Sequence, residues 1–159
     1  QDLNAGDAIM YCYMGLAFGD LSSGLLSQFF KSRKKALLSF ILISIFSVLL
    51  FLMVEFSQSW QIYACCLLLG FGGGYWAIFA TIAAEQFGTN LRATVATTVP
   101  NFVRGALIPM TLIFKGLKPE LGLYEAAASV GVLVFGLSLL SWYFLSESFD
   151  QNLDYLEVA

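Results

Sequence analysis

Two charges sit where charge is costly. Asp20 lies inside an apolar run that continues to Phe30, and Arg104 lies in another, between Asn101 and Pro109. Asp20 precedes Lys31 by eleven residues, or ~16 Å along a helix at 1.5 Å per residue. Arg104 follows Arg92 by twelve, or ~18 Å by the same rise. Both are therefore expected near the centre of a hydrocarbon core ~30 Å thick, on antiparallel helices at matching depth. A lone charge there costs at least ~2.5–3.5 kcal/mol, so each should face the interior and find a partner. Two chemistries fit. One is a fixed Asp20–Arg104 ion pair that holds helices together. In the other, Arg104 binds a polar or anionic solute group as Asp20 releases it, with Asp20 able to carry a proton. Asn101, one turn before Arg104, adds a hydrogen-bonding amide, and Tyr75 and Trp76 fall within a turn or two of that level. Asp20, Arg104, Asn101, Trp76 and Tyr75 are the candidate substrate-binding residues.

A second group of charges marks the ends of the apolar runs. Lys31, Arg33, Lys34 and Lys35 hold four of the eight basic residues. Charge that dense cannot stay in hydrocarbon, so the chain leaves the membrane there. Glu85 and Arg92 flank the next polar turn, and Glu147 opens an acidic tail. A carboxylate and a guanidinium on one side of the membrane can pair bidentately, so Arg33, Glu85, Arg92 and Glu147 are expected to form a cytoplasmic latch that biases one conformation over another. The plainer alternative is that these charges only anchor helix ends at the interface.

The elements that must position these groups follow from composition. The chain is 58% hydrophobic and 12% charged, with mean hydropathy +0.77; a soluble domain carries about 25% charged residues. This points to an all-α, polytopic transmembrane helix bundle with five spanning helices, at about 4–30, 36–54, 60–85, 93–114 and 122–145, and a tail over 146–159. The first contains Gly15, Gly19, Ser22, Ser23, Gly24 and Ser27, a small-residue surface for close helix packing. The third contains Gly70-Phe-Gly-Gly-Gly74, which serves either as a Gly-x-x-x-Gly packing face or as a flexible point; no Lys-Ser/Thr follows it, so it is not a phosphate loop. Pro100 and Pro109 make the fourth a candidate kinked helix. The second and fifth are almost wholly apolar and should face lipid, whereas the first, third and fourth should line something polar. Trp60 is placed as an interfacial anchor, Glu55 to Ser59 and Lys115 to Leu121 as outer loops.

Sidedness comes from the cations. Lys31, Arg33, Lys34, Lys35 and Arg92 fall on one side and Lys115 and Lys118 on the other, so the first end is expected outside and the tail in the cytoplasm. No histidine is present, and Cys12, Cys65 and Cys66 lie within apolar runs without ligand spacing. These features argue against metal sites and enzyme chemistry, and no cofactor is expected. The chain opens Gln1-Asp-Leu-Asn without methionine or a basic leader region, and is expected to be the C-terminal part of a longer protein.

Three polar turns resemble the major facilitator superfamily of secondary transporters. That family carries Gly-x-Leu-x-Asp-Arg-x-Gly-Arg-Arg between helices 2 and 3 and a degenerate copy between helices 8 and 9. Gly24, Leu26 and Arg33 match it, while Gln28 replaces the acid and Lys31 the second glycine. Glu85-Gln-Phe-Gly-Thr-Asn-Leu-Arg92 resembles the Glu-x-Phe-Pro-Thr-x-x-Arg loop between helices 10 and 11 of sugar-porter-like members, with Gly88 for proline. Leu145-Ser-Glu-Ser-Phe-Asp-Gln-Asn-Leu-Asp154 resembles the Glu-Thr tail after helix 12. The resemblance covers nearly the whole chain as helices 8 to 12. It implies alternating access, a solute site between two six-helix halves, and a partner N-terminal half plus helix 7. It also adds Gly24 to the latch. The expected function is therefore transport of a small polar or anionic solute, sugar-like or organic-anion-like, with a coupling proton or other ion as in a symporter, in a bacterial inner membrane. A non-transporting polytopic subunit or receptor is the rival class.

Overall fold

The computed structural model describes residues 3–150, 154 and 156. The described residues form helices and no strand: α1 (Ala5–Phe30), α2 (Arg33–Met53), α3 (Ser59–Gly73), α4 (Trp76–Glu85), α5 (Thr89–Gly105), α6 (Leu107–Leu121) and α7 (Leu123–Phe144). Each start and stop has a local cause. Asn4 caps α1 by accepting from the Gly6 N–H at 2.9 Å. Lys31 ends α1 in the left-handed conformation (φ 46°), and Ser32 caps α2 by accepting from the Lys35 N–H at 3.1 Å. The basic residues Arg33, Lys34 and Lys35 are therefore the first turn of α2 rather than a loop, three residues earlier than the composition suggested. Ser32 is buried, and a serine at the N-cap is a strong start signal that outweighs the unfavourable meeting of cations with the positive end of a helix.

Two of the expected helices are interrupted. The run 60–85 breaks between α3 and α4 at Gly74 and Tyr75, where Gly74 has φ −79° and ψ 55°. The fourth breaks between α5 and α6 at Ala106. Pro109 explains the second break: it has no N–H to give the Gly105 carbonyl, and its ring crowds that carbonyl. Pro100 lies within α5 without ending it. Lys115 to Leu121, expected as a loop, continues α6, which stops at Gly122. Gly122 has φ +88°, a conformation that side chains with a Cβ avoid.

The chain divides into two compact units, Gln1–Phe79 and Ala80–Ala159. The first is built on backbone contact between α1 and α3. Gly15, Gly19, Ser23 and Ser27 recur every four residues and are all buried. A Cβ at Gly15 would strike the Leu67 carbonyl, one at Gly19 the Phe71 carbonyl, and one at Gly70 the Cys12 carbonyl. The glycine run is thus a packing face, and it is also the site of a break. Ser22 and Gly24 are only half-buried, and a Cβ on Gly24 would meet nothing within 4 Å, so these two do not belong to the packed stripe. α2 closes the unit, with Ala36, Phe40 and Ile41 buried and the Phe40 ring packed tilted against Phe71 at 5.5 Å. In the second unit α6 and α7 form a hairpin through Gly122.

Four helical stretches are long and apolar enough to cross a membrane: Ala5–Phe30, Arg33–Met53, Ser59–Glu85 and Leu123–Phe144. The remaining expected span, over 93–114, does not meet that measure; it falls in α5, of 17 residues, and α6, of 15. α5 also carries Thr89, Asn90, Arg92, Thr94, Thr97, Thr98, Asn101 and Arg104. Large apolar side chains point outward throughout, among them Phe29, Met53, Phe102 and Val132. Exposed apolar surface of this extent is what a lipid-facing protein presents.

Candidate functional site

The five candidate solute residues fall into two groups. Asp20, Tyr75 and Trp76 belong to the first unit. α1 is helical without interruption from Asp20 to Phe30. The Asp20 carboxylate Oδ1 accepts from the backbone N–H of Ala77 at 3.2 Å. Ala77 is the second residue of α4, so the acid on α1 caps a helix that starts across from it. Tyr75 occupies the cap position of α4 itself and has no side-chain acceptor that could serve there. Tyr75 and Trp76 are half-buried, and the Trp76 ring packs on Phe79 at 5.6 Å.

Asn101 and Arg104 belong to the second unit. They are one turn apart on α5, and Arg104 Nη1 donates to Asn101 Oδ1 at 3.3 Å. The Asn101 amide in turn donates to the Thr97 carbonyl at 3.0 Å. Thr98, Asn101, Phe102, Gly105 and Ala106 outline an open groove at the end of α5. The groove surface is mostly apolar; of its lining residues only Thr98 and Asn101 are polar. The Arg104–Asn101 arrangement orients a guanidinium and an amide together, a pairing suited to carboxylate, phosphate or hydroxyl groups.

The latch residues divide in the same way. Arg33 Nη1 donates to the buried Ser27 hydroxyl at 2.7 Å, tying the start of α2 back to α1, and Gly24 lies one turn before Ser27. In the second unit the tail folds onto the turn after α4. Glu85 Oε2 accepts from the Ser148 hydroxyl at 2.6 Å. The Gln86 amide donates to the Ser146 carbonyl at 3.3 Å. Glu147 Oε1 accepts the backbone N–H of Ser148 and of Phe149, both at 3.1 Å. Ser148 is 1% exposed. Arg92 Nη2 donates to the Phe87 carbonyl at 3.3 Å, which holds the turn between α4 and α5. Sequence reasoning named the charges here but missed Ser148 and Gln86. A serine in a polar tail gives no sign that it will be buried against an acid. Tail residues 151–153, 155 and 157–159 lie outside the described residues.

Among the described residues no three His, Cys, Asp or Glu side chains gather as metal ligands. Cys12, Cys65 and Cys66 are free thiols, Cys65 buried and the other two half-buried. No protein-family model matches the chain, and neither does any curated protein or any solved structure.

Proposed function

We propose that the chain is the C-terminal transmembrane part of a secondary transporter of the major facilitator type, moving a small polar or anionic solute by alternating access. One observation carries the reading. The stretch Ser59–Glu85 is apolar enough to span a membrane, yet its helix breaks at Gly74 and Tyr75, next to a carboxylate on a neighbouring span. Broken backbone at membrane depth is tolerated where it is buried in protein or lines a water-filled cavity. Discontinuous helices of this kind mark solute sites in transporters. A protein whose helices only anchor or assemble has no need of the break.

In this reading Arg104 and Asn101 bind the polar or anionic end of the solute, and Trp76 and Tyr75 remain candidate solute contacts of the first unit. Glu85, Arg92 and Glu147, with Arg33 and Gly24, act at the cytoplasmic ends and set the balance of states. The polypeptide works with an N-terminal half and helix 7, in a bacterial inner membrane, tail inside, with a proton or other ion as the coupling partner.

The test is uptake by the intact protein in proteoliposomes, screened with labelled sugars and organic anions with and without an imposed proton gradient. Saturable uptake that falls at least tenfold in Arg104→Gln, with normal insertion, is the expected result. Absence of uptake for every solute class, together with no solute-dependent change in protease sensitivity, would favour the non-transporting alternative.

A further inference from the structure

We infer that Asp20 is a positioning residue: its carboxylate caps the broken helix from the neighbouring helix α1 and sets where Trp76 and Tyr75 stand. It acts through the backbone of α4 and not as a contact to the solute. The inference deepens the transport reading at the same candidate site, but its main readout does not depend on that reading.

The first-turn N–H groups of any helix have no partner within it. For α4 those groups begin at Trp76, inside a stretch apolar enough to span a membrane, where broken backbone takes its partners from neighbouring protein groups or from water in a lined cavity. The preceding sequence, Gly72-Gly73-Gly74-Tyr75, contains no Ser, Thr, Asp or Asn to cap them. Asp20 supplies the acceptor instead, with Oδ1 at 3.2 Å from the Ala77 nitrogen. Its negative charge also suits the positive end of the helix.

The approach that makes this reach possible is built from glycine. Gly19 and Gly74 meet backbone to backbone: a Cβ on Gly74 would lie 2.5 Å from the Gly19 Cα and 2.7 Å from the Asp20 nitrogen. Such distances leave no room for a side chain at either position. The contact brings the α1 backbone against the break, so the short aspartate side chain spans the remaining gap. Asn4, Ser32 and Asp20 thus do the same task for three helices, but Asp20 does it for a helix 57 residues away in sequence. The carbonyl of Asp20 accepts from the Ser23 hydroxyl at 2.9 Å, which fastens the acid's own backbone in place. Trp76 is the residue just before Ala77, so a shift of the α4 start is a shift of its indole.

The inference separates two roles that the residue type alone leaves together. A cap requires an acceptor oxygen of the right length and no charge or exchangeable proton; asparagine provides that oxygen and alanine does not. The experiment uses the intact protein labelled with 5-fluorotryptophan and fluorine NMR in detergent or nanodiscs. The Trp76 resonance is assigned by its loss in Trp76→Phe, and the resonances of Trp60 and Trp142 report on the remaining fold. In Asp20→Ala the Trp76 signal is expected to shift or broaden while the other two hold. In Asp20→Asn it is expected to return to the wild-type position. Where a transported solute is in hand, Asp20→Ala is expected to raise KM severalfold and Asp20→Asn to recover most of that loss. If Asp20→Asn displaces the Trp76 signal as much as Asp20→Ala does, or if neither displaces it, the positioning role is wrong. A normal Trp76 signal with uptake lost in Asp20→Asn also overturns it, in favour of a charge or proton-carrying role. Should Asp20→Ala fail to fold, hydrogen exchange at the Ala77 amide decides: protection equal in wild type and Asp20→Asn supports the cap, and loss of protection in Asp20→Asn removes it.

Discussion

At the scale of single residues, the chain shows how little room separates a packing glycine from an idle one. Gly15 and Gly24 stand on the same helix, nine residues apart, and composition treats them alike. The Gly15 Cα lies against the α3 backbone, and a Cβ there would strike the Leu67 carbonyl and come within 2.8 Å of the Phe71 nitrogen. Nothing flexible can yield, so Gly15→Val is expected to destabilise the first unit by about 1–3 kcal/mol or more, as overpacking of a tight interface does. Gly24 faces open space, so Gly24→Ala is expected to be neutral or to stabilise by up to about 0.5–1 kcal/mol through helix propensity. Thermal or denaturant unfolding in detergent measures both. A stable Gly24→Ala protein that has lost activity would show that this glycine matters to movement rather than to folding. Asp20 and Arg104 were conspicuous in sequence, because charge inside an apolar run stands out. The partner of Asp20 was not, because it is a backbone N–H at a helix start that only the break creates.

At the scale of elements, the number and order of helical stretches were legible, and their interruptions were not. Apolar runs bounded by charge gave four of the five stretches to within about three residues, while the expected 93–114 falls short of α5 and α6, which run from Thr89 to Leu121. The start of α2 moved to Arg33 because a capping serine decides a helix start more firmly than a change in hydropathy does. Lys115 to Leu121 read as a loop because it holds two lysines, a glycine and a proline, yet α6 runs through it to Gly122. The break after Gly105 has a proline four residues downstream, which gives a direct test. Pro109→Ala restores an N–H to the Gly105 carbonyl and removes the ring clash, a change worth about 3 kcal/mol in a helix interior. It is expected to join α5 and α6 into one helix, seen as slowed amide exchange around residues 105–110, and to impair any motion that uses the break. The tail contact offers a second test. Ser148→Ala removes the hydroxyl that donates to Glu85, and a hydrogen bond to a charged acceptor contributes roughly 1.5–3 kcal/mol. Faster proteolysis of the tail in Ser148→Ala and in Glu85→Gln, with little further effect in the double variant, is the expected pattern. Additive effects would mean that the two side chains act separately.

At the scale of the whole molecule, the open question is parity. Four stretches meet the length and apolarity of a span, and the fifth, α5 with α6, does not. If only four crossed, the tail would lie on the opposite side of the membrane from the turn after α4. The hydrogen bonds of the second unit argue otherwise. Ser148 bonds to Glu85, and Gln86 bonds to the Ser146 carbonyl, so the end of α7 lies at the same end as the start of α5. α7 alone has 22 residues, or ~33 Å of helix at 1.5 Å per residue, enough for one crossing. The chain can return to Glu85 through one crossing only if α5 and α6 together made the outward one. Their polar side chains fit that course when Thr98, Asn101 and Arg104 face the bundle and the apolar residues face lipid. Cysteine labelling from either side of the membrane, in a background with Cys12, Cys65 and Cys66 replaced by serine, is then expected to place Ser32, Asn90 and Asp150 on one side and Gln58 and Gly122 on the other. In the orientation proposed above from the basic residues near Ser32, that first side is the cytoplasm. Labelling of Asp150 from the side that labels Gln58 would mean that α5 and α6 do not cross, and would remove the fifth helix from the bundle.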